Sequence, residues 1–563
     1  MFVVFEGIDG SGKTTVSNQV AEQLRASGLS VKHLRAEGKF VSAVSEAIRD
    51  LGRDARNLEL TPQAEFFLYV ARDVQLIEEA LRPALTKSDV VLADRFLFTA
   101  ENLGRQGRHL PDEFTKPVLR AAAGGIEPDL VVLVDVDPVL ARARRKAQKL
   151  AASDKRPPSR KGLSGVGLQH RLRRGYKEMA AQYPGRWAVV DNEDSLENTV
   201  ARVTRLIQTA HAEGTARALE QFRAAGRVHG PARALESADQ ALAAFLEWLD
   251  KRQEREPRVA AYLLGGQFGP QVDERRKKLA ERVPEAVLAA LSGLTDDVSW
   301  QLREELVEKF PAAVARTLSG IPNSDARAAA LRFQLSQQFP EEVLNSCSRF
   351  DDEATWALRD RLYPQRPDLV VGSLSGLDTE RAWALRTEWL SRRQVDSTSQ
   401  YEIGRLAAKT VSGLAGDRAW AIRERARGAA PVAALSSLSL LFDEKSWVWR
   451  KESLRLAPKV VMAGIKRSAD PRAWEMRSAV VTDCKEAIDS IQDMDDERAW
   501  QLREAYADTW PSTVVKSMGA LADLERGRAL LHRQLAAFPA NISLLKHAAA
   551  VALGIHRVQV FED

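Results

Sequence analysis

Apolar residues recur along this chain in two different rhythms. Before about residue 210, short apolar runs at 2–5, 30–34, 90–93, 130–134 and 187–190 alternate with helical patterns, among them 16–24, 62–85 and 195–210. Five such runs with crossover helices predict an α/β domain, a doubly wound parallel sheet. Ligands of such a sheet sit outside the carboxyl ends of its strands.

From about residue 273 the rhythm changes and the chain repeats itself. Trp300-Gln-Leu-Arg303, Trp356-Ala-Leu-Arg359, Trp383-Ala-Leu-Arg386, Trp420-Ala-Ile-Arg423, Trp447-Val-Trp-Arg450, Trp474-Glu-Met-Arg477 and Trp500-Gln-Leu-Arg503 share one pattern, most neighbours lying 26 or 27 residues apart. The 37-residue step from Trp383 to Trp420 predicts an insertion around 393–401. A proline follows eleven residues after many of these tryptophans (Pro311, Pro367, Pro431, Pro458, Pro511), while Pro284 and Pro340 mark copies that lack the tryptophan. The pattern predicts two short helices per unit, with Asp or Ser capping the first and Pro opening the second. A hairpin of this size cannot bury its apolar face alone, so neighbours must stack into an all-α helical-repeat solenoid of about nine or ten units. Each repeat arginine is expected to be structural, paired with an aspartate of the adjacent turn. The chain thus divides into 1–210, a helical connector or cap at 211–272, and repeats over 273–563.

The composition is that of an ordinary globular protein, with 45% hydrophobic and 28% charged residues. No stretch is long and apolar enough to cross a membrane, and no basic segment precedes the first apolar run, which argues against a secretory signal. Two cysteines, Cys347 and Cys484, exclude a disulfide framework and fit a reducing, cytoplasmic setting. The net charge of +5 is unevenly spread: residues 142–186 hold 14 Lys/Arg against Asp154 and Glu178. A basic segment inside such a domain points to charge neutralisation of a polyphosphate.

The first strand leads directly into Gly7-Ile-Asp-Gly-Ser-Gly-Lys-Thr14, followed by Thr15 and a helix. Strand, glycine loop and helix form the setting of a phosphate-binding loop, in which backbone N–H groups and the helix N-terminus cradle phosphates. Gly7, Asp9, Gly10, Ser11, Gly12, Lys13, Thr14 and Thr15 are the candidate ATP-binding residues. Lys13 is expected in a solvent-facing loop, reaching the β- and γ-phosphates, with Thr14 on Mg²⁺. Asp94-Arg95-Phe96 follows the third strand, placing an acid suited to Mg²⁺ beside an arginine suited to a phosphate. Arg72 lies on the helix that begins at Pro62. The basic segment, including 153–162, has the character of a lid closing over transferring phosphates.

Together, Phe5-Glu-Gly-Ile-Asp-Gly-Ser-Gly-Lys-Thr-Thr15, Ala71-Arg72, Asp94-Arg95-Phe96, Pro128-Asp129-Leu130, Leu133-Val-Asp135 and Arg171-Leu-Arg173 with Tyr176 resemble the thymidylate kinase family over residues 1–210. The resemblance implies that Asp9 serves the deoxyribose 3′-hydroxyl and that Arg72 and Arg95 serve the acceptor phosphate. The loop has no arginine, so Arg142, Arg144 or Arg145 of the lid would stabilise the transferred phosphoryl group. It implies ATP and Mg²⁺ as cofactors, nucleotide substrates, and conversion of dTMP to dTDP. The chain departs from the family at Leu68 and Leu103, where aromatic residues are expected, at Gly104, and in Leu34-Arg-Ala-Glu-Gly38, which lacks a proline. Leucine cannot reproduce aromatic stacking on a base. The competing reading is a nucleotide-sensing regulatory protein whose kinase-like domain is a switch. In either case the repeats are expected to hold a protein partner, with nucleic acid disfavoured and no membrane association.

Overall fold

The computed structural model describes residues 1–151, 165–192, 195–225, 234–391 and 397–555. The basic stretch 153–162 therefore lies outside the described residues. The chain forms two compact units, the first built mainly from 1–231 and the second from 232–563. The segment 211–272 is divided between them.

The first unit is a five-stranded sheet of β1 (Phe2–Glu6), β2 (Val31–His33), β3 (Val90–Asp94), β4 (Leu130–Asp135) and β5 (Trp187–Asp191). Every pairing is parallel, in the order β2-β3-β1-β4-β5. Val3, Val4, Phe5, Val90, Leu92, Val131 and Val132 are fully buried. Both faces of a parallel sheet are covered by helices, which is why its strands read as unbroken apolar runs. The apolar runs of β1, β3, β4 and β5 each end on an acid: Glu6, Asp94, Asp135 and Asp191. Hydrophobic sequence gives way to charge at the sheet edge where the strands end.

Helices α1 (Lys13–Ala26), α2 (Ala43–Arg53), α3 (Pro62–Leu76), α4 (Leu97–Asn102), α5 (Asp112–Ala123), α6 (Pro138–Ala151), α7 (Gly165–Gln182), α8 (Leu196–Glu213) and α9 (Thr215–Ala224) complete the unit. Val16, Val20 and Leu24 of α1 join Val200, Val203 and Ile207 of α8 against the sheet, each such burial contributing about 2 kcal/mol. Thr61 caps α3 through the Ala64 N–H, and Pro62 stands in its first turn. The helical path continues through the π turn Ile77–Leu81 into Arg82–Leu85, as the 62–85 pattern predicts.

The second unit is a succession of helix pairs. Asp296, Asp352, Asp443 and Asp496 cap first helices by accepting backbone N–H groups three residues on. Pro311, Pro340, Pro367, Pro431, Pro458 and Pro511 open second helices, where their missing N–H costs nothing. Around the predicted insertion the second helix is Ser397–Thr410, twice the usual length, while 392–396 lie outside the described residues.

The repeat arginines are structural, but carboxylates are not their main partners. Arg423 donates to the carbonyls of Val411, Leu414 and Ser437 and to the Ser437 hydroxyl. Arg503 does the same with Ile491, Met494 and Ser517. The expectation of aspartate pairing fails because a helix end offers orphaned carbonyls exactly where a buried cation needs acceptors. Each arginine thus ties the end of one pair to the end of the next. The tryptophans are gripped from both sides: Trp500 lies between Arg503 and Arg526, each 4.9 Å from its ring centre.

The second helices contact one another in order from Pro257–Leu263 to Pro511–Met518 and on to Ile542–Ala552. Ile542–Ala552 then packs extensively along Ala238–Arg255, which leads into Pro257–Leu263. Gln267 Nε2 also donates to the Lys546 carbonyl at 2.9 Å. The predicted solenoid therefore has its first and last pairs packed together, and the circuit of helices is closed.

Candidate functional site

The site is assembled at the carboxyl ends of β1 and β3. Gly10 and Gly12 take left-handed backbone conformations that side chains rarely adopt. A Cβ on Gly10 would collide with the Ala141 carbonyl of α6, and one on Gly12 with the Asn192 side chain. The loop is thereby wedged between α6 and the residue after β5, with Asn192 Nδ2 donating to the Ser11 carbonyl at 2.6 Å.

Lys13 opens α1, but it is only 6% exposed, not solvent-facing as expected. The loop wraps around its side chain, whose Nζ donates to the Ile8 carbonyl at 3.1 Å. Burial, reinforced by the nearby Arg95, pushes the Lys13 pKa down to about 7 against the opposing pull of Asp94 and Asp9. An anion here would return that amine to its charged state.

Thr14 and Asp94 are brought together: the Thr14 hydroxyl donates to Asp94 Oδ2 at 2.6 Å. Burial works against ionisation of Asp94, but Arg35, Lys13 and Arg95 outweigh it and hold the carboxyl below its ordinary range. Among the described residues, Asp94 Oδ1, Ser11 Oγ and Arg35 Nε are buried and have no hydrogen-bond partner. Orphaned polar atoms around a phosphate loop are what a site shaped for a charged ligand leaves in its absence. An ionised carboxylate with a spare oxygen beside a threonine hydroxyl fits a hard divalent cation such as Mg²⁺.

Arg95 sits at the end of β3 in a left-handed conformation, φ 83°. It pairs with Asp9 of the loop, donates to Thr99 Oγ1 at 3.1 Å, and lies 3.8 Å from Glu6. Thr99 in turn donates to Glu6 at 2.8 Å and lies 3.2 Å from the Tyr176 hydroxyl. Burial opposes the charge on Arg95, but Asp9 and its neighbours more than restore it. This guanidinium is a fixed cation.

Arg72 is buried and held bidentately by Asp73, at 2.7 and 2.8 Å. Its Nη1 makes no hydrogen bond among the described residues, and its guanidinium stacks on Tyr69 and Phe40. Arg35, at the end of β2, lies on the same Phe40 ring and reaches Asp94 at 3.2 Å. Sequence reasoning missed Arg35. The segment Leu34-Arg-Ala-Glu-Gly38 was informative through an arginine at a strand's carboxyl end, not only through its absent proline. Glu6 was also legible as a charge closing an apolar strand.

The lid arginines differ in their placement on α6. Arg145 lies against Gly10, and Arg144 donates to the Asn192 carbonyl at 2.9 Å. Arg142 is half-buried on the same helix. Arg173 and Lys177 of α7 are spent on Asp135. On α3, Leu68 packs against Gly52 of α2, Tyr69 is buried, and Phe67 is 47% exposed. Leu103 is buried beside Gly107, and Gly104 is filled by Phe66.

Residues 5–203 match the family model described as thymidylate kinase. The thymidylate kinase of Nitratidesulfovibrio vulgaris (strain DP4) is 33% identical over 210 residues, covering 37% of this chain and 93% of the relative. That of Desulfovibrio desulfuricans is 34% identical over 208 residues, covering 37% and 95%. A crystal structure of thymidylate kinase from Ehrlichia chaffeensis aligns at 22% identity with a TM-score of 0.29, covering 37% of this chain and 98% of that one.

Proposed function

Through its N-terminal unit the chain belongs to the thymidylate kinase family and is a nucleoside monophosphate kinase, and on that premise we propose that it transfers the γ-phosphoryl group of ATP to dTMP. The observation that carries the proposal is the convergence of Lys13, Thr14–Asp94 and Arg95–Asp9 at one end of the sheet. The loop N–H groups and Lys13 hold the donor's phosphates. Mg²⁺, held by Thr14 and Asp94, would neutralise charge on the β- and γ-phosphates. Arg95, Arg35 and Arg72 form a cationic wall suited to the acceptor phosphate, and Asp9 is placed beside it for a sugar hydroxyl. Arg145, lying against the loop, is the strongest candidate among the lid arginines for the charge developing on the transferred group, with Arg142 and Arg144 behind it. Such catalysis is positioning and electrostatic stabilisation, without a covalent intermediate.

The relatives' substrate favours dTMP, and Leu68 weakens the aromatic grip on its base without removing the phosphate machinery. Phosphorylation of a nucleoside monophosphate panel tests the proposal; binding of ATP without transfer to any acceptor would favour the sensing role instead. We assign the helical unit the part of an interaction scaffold. Its support is the exposure of Phe333 (65%), Leu440 (64%) and Val448 (53%) on the repeats. Affinity capture with wild-type chain against a Phe333→Ser, Leu440→Ser, Val448→Ser variant tests that role. Among the described residues no helix is long and apolar enough to cross a membrane.

A further inference from the structure

A closed circuit of hydrogen bonds joins Thr14, Ser17, His33, Arg35 and Asp94. The Thr14 hydroxyl and Arg35 Nη1 both donate to Asp94 Oδ2, at 2.6 and 3.2 Å. Ser17 Oγ donates to the Thr14 carbonyl at 3.1 Å and lies 3.0 Å from His33 Nε2. The Arg35 N–H donates to His33 Nδ1 at 3.1 Å, which completes the circuit. Ser17 is fully buried, and His33 is 5% exposed.

The chemistry of the groups fixes the direction of each bond. A backbone N–H can only donate, so His33 Nδ1 is the acceptor and the ring proton stands on Nε2. Nε2–H therefore donates to Ser17 Oγ, whose own proton goes to the Thr14 carbonyl. Burial holds the ring neutral, lowering its pKa to about 4 against the pull of Asp94. At the end of β2 the Leu34 N–H still bonds the Leu92 carbonyl of β3 at 2.9 Å, and the next N–H is the one that His33 takes. Arg35 there has φ −145° and ψ 55°, outside the strand and helix regions. Accepting from the N–H two residues on is what Asn and Asp side chains do in turns. Here a histidine does it, and its second nitrogen anchors the turn to α1.

We propose that His33 is a positioning residue for phosphoryl transfer, a role that rests on the reading of Arg35 as part of the wall receiving the acceptor phosphate. Through Nδ1 it sets the backbone turn that presents the Arg35 guanidinium. Through Nε2 it ties that turn to the start of α1, which carries Lys13 and Thr14. Without the Nδ1 acceptor the buried Arg35 N–H loses its partner and the turn relaxes, moving a cation whose Nη1 also holds Asp94. Misplacing such a group by about 1 Å costs up to about 10²-fold in rate.

Two substitutions separate the two ring nitrogens. His33→Asn keeps an acceptor at the Nδ1 position, and His33→Gln keeps a donor at the Nε2 position without that acceptor. Steady-state rates are measured on the full chain with Mg-ATP and whichever nucleoside monophosphate the wild type phosphorylates best, so a failure of the dTMP assignment leaves the test intact. His33→Gln should lower kcat/KM for the acceptor by at least about tenfold with KM for Mg-ATP within about twofold, and His33→Asn should stay within about threefold of wild type. In an Arg35→Met background, which has already lost the guanidinium, adding His33→Gln should cost less than about twofold more, because residues that act through one another are not additive. Unchanged rates in His33→Gln, additive losses in that cycle, an equal rise in KM for both substrates, or an Asn variant as impaired as the Gln variant would each overturn the proposal. Nitrogen-15 spectra of the histidine-labelled wild-type chain, assigned with His33→Asn, test the hydrogen bonds apart from catalysis. Protonated Nε2 with unprotonated Nδ1 is expected at pH 7, and the reverse tautomer or the imidazolium would overturn the proposal as well.

Discussion

The hydroxyl of Thr14 donates to Asp94 across 2.6 Å, joining the first turn of α1 to the last residue of β3. The two residues are 80 positions apart in sequence and meet because β1 and β3 are neighbours in the sheet. The second oxygen of Asp94 is buried and has no hydrogen bond among the described residues. Replacing Asp94 with Asn keeps the shape and removes the charge. We expect Asp94→Asn to lower kcat by 10²–10³-fold, the range for losing one charge-stabilising group, and to raise the Mg²⁺ concentration needed for half-maximal rate. Initial rates across a Mg²⁺ series check both effects.

Lys13 gives a stability prediction with a definite sign. Its folded pKa of about 7 lies below the ordinary 10.5, so the unfolded chain binds more protons between those values. The group's cost is complete below pH 7 and fades as pH rises toward 10.5. Lys13→Met should therefore stabilise the nucleotide-free protein at pH 6 by on the order of 2 kcal/mol. That gain should shrink toward zero at pH 10, while phosphoryl transfer is abolished. Chemical denaturation at the two pH values measures it, and a destabilised variant at pH 6 would refute the account of Lys13.

Arg95 combines a left-handed backbone with a side chain that holds Asp9 and Thr99. Arg95→Gly accepts the backbone and removes the guanidinium, whereas Arg95→Ala also strains the turn. Both variants should lose at least 10²-fold in kcat/KM, and Arg95→Ala should melt lower than Arg95→Gly by about 1 kcal/mol. Equal melting of the two would show that the turn stores no preference for glycine.

The arginine clamps should dominate the stability of the helical unit. Arg423 is fully buried with four hydrogen bonds to the ends of two pairs. Arg423→Ala leaves several buried carbonyls unpaired and a cavity, an expected loss of about 3 kcal/mol. Arg427, exposed and paired with Glu452, is the control, with an expected loss of less than about 1 kcal/mol on replacement by Ala.

Strands and loop were legible because burial on both faces writes an unbroken apolar run, and because few sequences put Gly-x4-Gly-Lys-Thr after one. The helix caps at Asp352 and Asp496 and the helix-opening prolines were legible for a similar reason, since each satisfies a local backbone need. What escaped depended on contacts distant in sequence. The partners of Arg423 lie on two different units, and carbonyl acceptors have no side-chain signature. The closing contact of Ile542–Ala552 with Ala238–Arg255 joins segments almost 300 residues apart. Lys13 read as exposed because a lysine in a glycine loop gives no hint of the wrapping by Ile8 that buries it.

The base-recognition surface is the least conventional part of the site, and Leu68 is its test. Leu68→Phe restores an aromatic on α3, and ring stacking is worth about 0.5–1.5 kcal/mol. KM for dTMP should fall two- to tenfold in this variant while kcat changes little.

The most direct measurement is steady-state phosphorylation by the full chain with Mg-ATP across dTMP, dUMP, UMP, CMP, AMP and GMP, with Lys13→Met as the control. The account predicts that dTMP has the highest kcat/KM, at least tenfold above any purine or ribonucleotide acceptor, and that Lys13→Met is inactive throughout. Transfer to none of the six, or a tenfold preference for another acceptor, would contradict it.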